Sequence, residues 1–496
     1  MFKKLDKKTK KDNRIYKGFI GFVLAALSIL ILLIVNGSFN QLSSYNGSIS
    51  SVDIVFCMVS IITIAIVYIS YKIGIASKFI LIVIIALGLV VRILYAFNIE
   101  SIPVSDFAVM YDTAGKILEG DISMLWGNEY IARFPHITIP TLYYAAIRYV
   151  FTNSLSVIKG INVLASTCNI FIIYKITEEL FSDRAKAMAA ALITALYPPL
   201  ILYTAVFSTE NIAMPFLLLA IYMFIMFVKR DNNWKILVLS ALSLSVGNLF
   251  RMVGQIILVA FILYIIISYK EKVKSKLVAV FILISMFLIP LIGVSFSLQY
   301  SGIMEYQLWK GSEPNLTNIV KGLNVENNGR WNLEDEGISK KYNFDYEKIE
   351  EVCKNIIWNR LTTTPKGELL NFFANKYSSQ WCVGDFSGAY WAEHSVEEDA
   401  IGIKFSENGV WFGQLFFVIL ISLSYIGLLN IKEVNQNRPL SLIYYIFCGY
   451  SILYLVSENQ ARYGFIVCWI FILMAMVGID LIQKIGTLER DKLWKK

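Results

Sequence analysis

Histidine and cysteine are scarce in this chain of 496 residues, which contains two histidines and six cysteines. No group of them has the spacing of a zinc site. Four of the cysteines lie inside apolar runs, where a thiol behaves as a small hydrophobic side chain. Cys353 and Cys382 fall in a hydrophilic stretch, and a disulfide between them is left open. The sequence therefore gives no indication of a zinc site or of a cluster of reactive cysteines.

The sequence also lacks a glycine-rich phosphate loop, an Asp-x-Asp metal motif, a low-complexity linker and a short-period repeat. The first two absences argue against a nucleotide-binding site. No small-residue cleavage site follows the first apolar run, so we interpret that run as an uncleaved anchor and not as a signal peptide.

Long apolar runs are what the sequence has in abundance. Hydrophobic residues make up 56% of it, and the mean hydropathy is +0.59. We expect an all-α polytopic membrane protein with about twelve transmembrane helices, because each run has the length that a bilayer core requires. The predicted spans are 16–36, 52–71, 78–97, 156–176, 185–203, 210–228, 234–250, 253–269, 276–298, 411–430, 440–456 and 463–482.

Lysine and arginine predict the orientation of these spans. They crowd the segment before the first span, which places the N-terminus in the cytoplasm. A nucleic-acid site would be the alternative explanation of that basic run, but the adjoining apolar span favours a topology signal. Residues 37–51 carry no lysine or arginine and should lie outside. The basic loops, which should lie inside, are 229–235, 270–276, 432–438 and 484–496.

One apolar segment, 135–151, decides whether this count is consistent. It is short and contains His136, Pro140 and Arg148. If it crossed the membrane, every later basic loop would fall outside. We therefore expect an interfacial or re-entrant helix on the outer leaflet.

The predicted organisation combines a membrane bundle with two outer pieces, the second of them long enough for a small extracytoplasmic mixed domain. Its parts are a basic cytoplasmic N-terminus at 1–15, three spans at 16–97, a first outer loop at 98–153, spans at 154–298, the outer domain at 299–410, three spans at 411–483 and a basic cytoplasmic tail at 484–496.

Under this topology, ionisable residues from several segments gather on the outer face of the membrane. Charged groups held against a bilayer are costly and usually functional. Arginine recognises phosphate through its planar set of donors, and a carboxylate can remove a proton from an attacking hydroxyl. Transfer of a sugar from a lipid phosphate needs both. The set comprises Asp106, Asp112, Arg133, His136, Glu210, Arg251, Glu458 and Arg462, with Arg92 near the outer end of its span.

Several motifs, taken in their order along the chain, resemble the membrane glycosyltransferases of the GT-C fold. The resemblance extends to the protein O-mannosyltransferases, the aminoarabinose transferases and their Gram-positive bacterial relatives in glycosyltransferase family 39. Many relatives have Asp-Glu where this chain has Asp106-Phe107, and two spans before that motif are additional here. The motifs are Ser105-Asp106-Phe107 with Tyr111, Arg133-Phe134-Pro135-His136, Leu196-Tyr197-Pro198-Pro199 through Glu210, Lys321-Gly322-Leu323-Asn324, Asn328-Gly329-Arg330, Lys376-Tyr377 with Trp381, and Glu458-Asn459-Gln460-Ala461-Arg462-Tyr463.

The resemblance implies an inverting transferase in the bacterial cell membrane with an extracytoplasmic active site. Its donor would be a polyprenyl-phosphate sugar, and its acceptor a cell-wall polysaccharide, teichoic acid, glycolipid or protein. Asp106 would be the general base. The arginines that would hold the donor phosphate are Arg462, Arg251, Arg133 and Arg92. Residues that would contact substrate or support those that do are Glu210, His136, Tyr111, Glu458 and Tyr463. No metal ligand is assigned, although a divalent cation shared by Asp106 and Glu210 is left open.

Structural roles compete with these assignments. Asp106 could cap the helix that follows it, and Glu210 could favour a helix N-terminus through its charge. Arg462 could be an interface anchor, and Arg92 could form an ion pair inside the bundle.

A transporter, a polymerase or ligase, and a scaffold are the alternatives to a glycosyltransferase. A transporter or flippase of a lipid-linked saccharide should carry charge near mid-span, where this sequence has little. A cell-wall polysaccharide polymerase or ligase would not need Asp106, and a wall-assembly scaffold would tolerate its loss.

Overall fold

A computed structural model gives the architecture of the chain. It describes residues 2–230, 233–396 and 404–493, with side chains described only between residues 14 and 486. The basic side chains before Arg14 and after Gly486, on which part of the topology prediction rests, lie outside the described residues. Within the described ranges the protein is helical, and the one extended pairing is an isolated bridge between Gln307 and Lys310.

The first half of the chain forms long helices interrupted by one group of short ones. The long helices at the start are α1 (Phe2–Ser44), α2 (Ser51–Lys72) and α3 (Ser77–Asn98). The short group is α4 (Asp106–Leu118), α5 (Tyr130–Arg133) and α6 (Thr138–Val150). The bundle then continues with α7 (Ser154–Phe181), α8 (Arg184–Leu196), α9 (Pro198–Leu202), α10 (Glu210–Lys229), α11 (Trp234–Phe250), α12 (Gly254–Leu263) and α13 (Val273–Tyr300).

The second half begins with short helices, which we call the intervening region (residues 301–409), and ends with bundle helices. The intervening region contains α14 (Leu316–Gly322), α15 (Leu333–Glu336), α16 (Ile338–Lys341), α17 (Tyr346–Thr363), α18 (Lys366–Trp381), α19 (Gly388–Glu393) and α20 (Phe405–Asn408). The last helices are α21 (Val410–Leu429), α22 (Ile431–Gln436), α23 (Leu440–Val456) and α24 (Ile470–Leu493).

In the described parts of the chain, seven helices are long and apolar enough to cross a membrane, and nine spans result if each of two bent pairs counts as one. The all-α, multi-pass prediction is confirmed. Three further predicted spans coincide with shorter apolar helices, α11, α12 with its π-helical continuation, and α23. The count of twelve therefore stays a prediction. Helix α6 has 13 residues and is shorter than a candidate span, and its interfacial or re-entrant position stays a prediction.

Both bent pairs lie near the polar residues of interest. The first breaks by 58° where Tyr197 precedes Pro198 and Pro199, because proline lacks the N–H that would continue α8. The second bends by 63° between a 3₁₀ turn at Ala461–Val467 and the helix that follows it. The non-helical backbone of both breaks lies at the end of the bundle where α3 and α11 end and α10 begins.

The described residues of the intervening region form helices apart from the isolated bridge, instead of the mixed structure that we expected, and they divide between two cores. An outer domain at 299–410 stays a prediction. Helices α14 to α17 share a small core of their own around Val320, Ile349 and Cys353. Helix α18, however, belongs to the bundle, because Trp381 is fully buried against Phe447 and Phe471. Cys353 and Cys382 are both free thiols.

Candidate active site

Asp106 is the first residue of α4, immediately after the break that Pro103 and Ser105 impose on the chain. Ser105 has a positive φ of 52°, which turns the backbone sharply before the helix begins. Ser105, not Asp106, occupies the N-cap position, and no side chain caps this helix. The capping role for Asp106 is therefore wrong. Its carboxylate instead accepts hydrogen bonds from Ser105 Oγ at 3.0 Å and Tyr130 Oη at 3.3 Å.

Arg462 is the partner of this carboxylate. Its Nη2 donates to Asp106 Oδ2 at 2.5 Å, which joins two residues that are 356 positions apart in sequence. Three aromatic rings surround the guanidinium, with its central carbon 4.7 Å from the Trp391 ring centroid and 5.3 to 5.4 Å from those of Phe107 and Tyr463. The aromatic faces stabilise the cation and fix its plane.

Two donors of Arg462 remain unused. Only 9% of its side chain is exposed, yet Nε and Nη1 have no acceptor among the described residues. A buried donor left without an acceptor costs about 1–3 kcal/mol, and more when it carries charge. The Asp106 side chain, by contrast, is 35% exposed. The pair is therefore reachable from outside and retains unsatisfied capacity to bind an anion.

A second ion pair also lies next to Tyr463. Arg251, directly after α11, places Nη2 3.2 Å from Oε1 of Glu210, the first residue of α10. Glu210 is buried and also accepts from Thr209 Oγ1 at 3.2 Å. The Arg251 guanidinium carbon lies 5.4 Å from the Tyr463 ring centroid, the same separation as that of Arg462. Two guanidinium groups from distant segments thus contact one tyrosine ring.

A small cavity of about 10 Å³, room for about one water molecule, adjoins this second pair. Its lining includes Thr209 and Phe250, the residues that precede Glu210 and Arg251. It is largely apolar, but Tyr143 and Ser208 contribute hydroxyl groups that have no partner among the described residues. The arrangement places apolar surface next to the cationic pair.

The charges of the site act on one another. Burial raises the pKa of the Asp106 carboxyl, but the charge and hydrogen bond of Arg462, the Ser105 hydroxyl and the more distant Arg251 outweigh it, and the net pKa is below the usual value. Burial and the nearby Arg251 lower the pKa of the His136 imidazole to about 4. At neutral pH Asp106 is therefore an anion and His136 is neutral.

Glu458 lies close to the same cluster, in the loop between α23 and Arg462. It is buried, and burial raises the pKa of its carboxyl although Lys321 and Arg462 oppose the rise. Tyr463 is the ring that both arginines contact. Glu458, Tyr463 and His136 are therefore brought to the cluster that the sequence predicted, together with Asp106, Glu210, Arg251 and Arg462.

Three predicted residues are engaged elsewhere. Arg92 is fully buried between α3, α7 and α8, where it donates to Ser166 Oγ and to the carbonyl oxygens of Gly88, Ala195 and Thr194 at 2.8 to 3.0 Å. Arg133 lies between two carboxylates of the intervening region, Glu313 at 2.7 Å and Glu336 at 3.2 Å. Tyr111 donates to or accepts from Ser154 Oγ and contacts Arg148. These contacts favour structural roles for all three.

Tyr130 and Trp391 are not among the site residues predicted from the sequence. Tyr130 in α5 contacts Asp106 and Trp391 in α19 contacts Arg462, and no local sequence pattern connects these short helices to the pair. Of the other tryptophans, Trp381 is core, whereas Trp309, Trp331 and Trp358 are exposed. In the described residues no three metal-ligating side chains come together, and Asp106 and Glu210 each already face a guanidinium. This donor set does not fit a cation shared between them.

Comparison with known proteins gives one family match. The sequence model of the family described as dolichyl-phosphate-mannose-protein mannosyltransferase matches residues 140–293, from α6 to α13. This match agrees with the resemblance to the protein O-mannosyltransferases over residues 140–293, which are less than half of the chain. Glu210 and Arg251 lie within the matched residues, whereas Asp106 and Arg462 lie outside them. No curated protein matches the chain.

Among solved structures, the apo oligosaccharyltransferase of Archaeoglobus fulgidus superposes with a TM-score of 0.49 and 13% identity. The match covers 85% of this chain and 52% of that one, so the present chain spans about half the length of that protein.

Proposed function

We propose that this multi-pass membrane glycosyltransferase moves a sugar from a polyprenyl-phosphate donor to a hydroxyl group of an extracytoplasmic acceptor, with inversion at the anomeric carbon. The observation that carries the proposal is the Asp106–Arg462 pair: a partly exposed carboxylate next to a buried arginine with two unused donors. The charge distribution of the loops supports an active site on the outer face of a bacterial cell membrane.

In the proposed reaction Asp106 is the general base. The acceptor hydroxyl transfers its proton to the Asp106 carboxylate while its oxygen forms a bond to the anomeric carbon of the donor. The bond between that carbon and the phosphate oxygen breaks, and the electron pair leaves with the polyprenyl phosphate. The lowered pKa of Asp106 keeps it ionised and ready to accept a proton at neutral pH.

The two arginines stabilise the departing phosphate. Arg462 can donate to a phosphate oxygen through Nε or through Nη1 while Nη2 stays on Asp106, which would place the donor directly beside the base. Arg251 adds a second positive charge next to Tyr463, and Glu210 orients it. Charge develops on the phosphate as the bond breaks, so fixed cations lower the barrier most at that point.

The family match supports a lipid-linked donor, because the family model that matches residues 140–293 is described as dolichyl-phosphate-mannose-protein mannosyltransferase. Acceptor identity has no such support. Cell-wall polysaccharide, teichoic acid, glycolipid and protein all present suitable hydroxyl groups.

The proposal is tested by reconstituting the full chain in liposomes with polyprenyl-phosphate mannose and, separately, with nucleotide sugars. Acceptors of the four classes are supplied, and the anomeric configuration of each product is determined. We expect transfer from the lipid-linked donor only, with inverted configuration. Transfer from nucleotide sugars would contradict the proposal, and so would movement of a lipid-linked saccharide across the bilayer without transfer.

A further inference from the structure

The loop that precedes Arg462 is held by the intervening region at every residue. Glu458 N donates to Asn318 Oδ1 at 3.0 Å, and Asn459 N donates to the Gly329 oxygen at 2.7 Å. The backbone of Gln460 makes two hydrogen bonds with the Gln380 side chain. The Gln460 N–H donates to Gln380 Oε1 at 3.0 Å, and the Gln460 carbonyl oxygen accepts from Gln380 Nε2 at 2.7 Å. So many protein partners are unusual for a loop between two helices, which normally bonds to water. Among the described residues only the side-chain oxygens Ser457 Oγ and Gln460 Oε1 of this loop are buried without a partner.

The fully buried side chain of Lys376 also binds the loop and its surroundings. Its Nζ donates to the carbonyl oxygens of Leu455 at 2.9 Å and Ser457 at 2.7 Å, and to that of Gly322 at 2.5 Å. All three protons of the ammonium group therefore have backbone acceptors. One side chain thus ties the end of α23 to helix α14.

Two glycines allow the backbones to approach this closely. A Cβ added at Gly322 would lie 2.2 Å from the Val456 oxygen and 2.4 Å from the Ser457 carbonyl carbon. Gly329 has a positive φ of 70°, and its oxygen is the one that accepts from Asn459. The sequence motifs around Gly322, Gly329, Lys376 and Trp381 thus come together beside this loop. The proposed reaction does not use any of them directly.

We propose that Lys376 and Gln380 are positioning residues: from α18 they hold residues 457–460 so that Arg462 meets Asp106 with its other donors oriented for the donor phosphate. This inference rests on the proposed function. Helix α18 suits the role because Tyr377 and Trp381 are packed in the bundle core, so the helix is a rigid support. A displacement of about 1 Å at a reacting group can cost about 100-fold in rate.

The test compares Gln380→Ala and Lys376→Met with the wild type, and uses Arg360→Gln as the matched control. Arg360 forms a partly buried ion pair with Asp335 in the same region but does not contact the loop. Lys376→Met can impair folding, so Gln380→Ala, which removes only the pair with Gln460, provides an independent variant. Three readouts are taken: amide hydrogen exchange over residues 457–463, affinity for polyprenyl monophosphate, and the pH dependence of transfer.

We expect faster exchange over 457–463 in both variants, and a loss of kcat/KM of about tenfold for Gln380→Ala and about 100-fold for Lys376→Met. The acidic limb of the pH profile should move to higher pH, because a displaced Arg462 no longer favours the Asp106 carboxylate. A general loss of stability would not move that limb, and Arg360→Gln should leave it in place.

Unchanged exchange over 457–463 in both variants would overturn the proposal, whatever the activity. Faster exchange with wild-type affinity and an unmoved acidic limb would also overturn it, because the loop would then be held without positioning Arg462. Failure of the wild type to bind polyprenyl monophosphate or to transfer would refute the proposed function. The exchange measurement does not depend on either activity, so it tests separately whether α18 holds the loop.

Discussion

Two arginines are buried in this protein in opposite circumstances. Around Arg92 the helices α3, α7 and α8 supply a serine hydroxyl and three carbonyl oxygens, so the fold itself satisfies the cation. Around Arg462 the described residues supply one carboxylate and three aromatic rings, and two nitrogens have no acceptor among them. Both arginines are buried and they differ in their unused donors, and on our proposal that difference separates a ligand-binding arginine from one that holds helices together.

The strongest way to break this comparison is to remove each arginine in turn. Arg462→Gln should lower kcat/KM by about 100- to 1,000-fold, because a preorganised donor to the departing charge is lost. Arg92→Met should instead lower the free energy of unfolding by about 3 kcal/mol or more, because buried acceptors lose their partner. The measurements are steady-state transfer and thermal unfolding in the same detergent.

The control for both is the folded fraction, determined by size-exclusion chromatography before each assay. Normal transfer per folded molecule is expected for Arg92→Met. A specific loss of affinity for the polyprenyl-phosphate donor in that variant would return Arg92 to the phosphate-binding residues that the sequence predicted.

The second ion pair sharpens the comparison, because Arg251 has a carboxylate partner but also contacts Tyr463. Arg251→Gln should raise the KM for the donor and lower kcat/KM by about 10- to 100-fold, since the second cation acts from farther away. Glu210→Gln should have a smaller effect of the same kind. If Glu210→Gln abolished transfer while Asp106→Asn did not, the base would be Glu210.

The pH profile tests the electrostatic part of the account. Transfer needs ionised Asp106, so the rate should fall only as the pH drops through the lowered pKa of that carboxyl, below its usual range. Arg462→Gln removes the main cause of the lowering, and the acidic limb should therefore move to higher pH. An acidic limb at the same pH in the variant and the wild type would show that Asp106 does not determine it.

Only a small effect on catalysis is expected at Arg133. Arg133→Gln breaks contacts with Glu313 and Glu336 that attach α5 to the intervening region. We expect a loss of unfolding free energy of about 1–3 kcal/mol, because a buried carboxylate loses its partner. Transfer per folded molecule should change less than tenfold. A larger loss that is confined to donor affinity would favour the phosphate-binding role.

Sequence patterns predicted the membrane helices well because apolar length is a local property. The runs at α2, α3 and α10 agree with the structure to within a few residues. Local patterns cannot show that the span bends at Pro198. They also cannot show that α18 packs in the bundle while α14 to α17 have a core of their own. Both outcomes depend on packing between segments that are far apart in sequence.

The candidate site was predictable in part for the same reason. Charge at the ends of spans identified Asp106, Glu210, Arg251 and Arg462, and the structure brings them together. Arg92 and Arg133 have the same sequence signature, and only their partners separate them from the others. Lys376 and Gln380 lie in a helix whose local sequence gives no sign that it holds a loop 80 residues away.

The most direct test of the central claim separates donor binding from chemistry at Asp106. Asp106→Asn is compared with wild type and with Asp112→Asn, an exposed carboxylate on the same helix. Binding of the polyprenyl-phosphate donor and the single-turnover rate are measured on the same samples. Our account predicts that Asp106→Asn binds donor but transfers about 100- to 10,000-fold more slowly, with Asp112→Asn like wild type. Equal single-turnover rates for Asp106→Asn and wild type would contradict it.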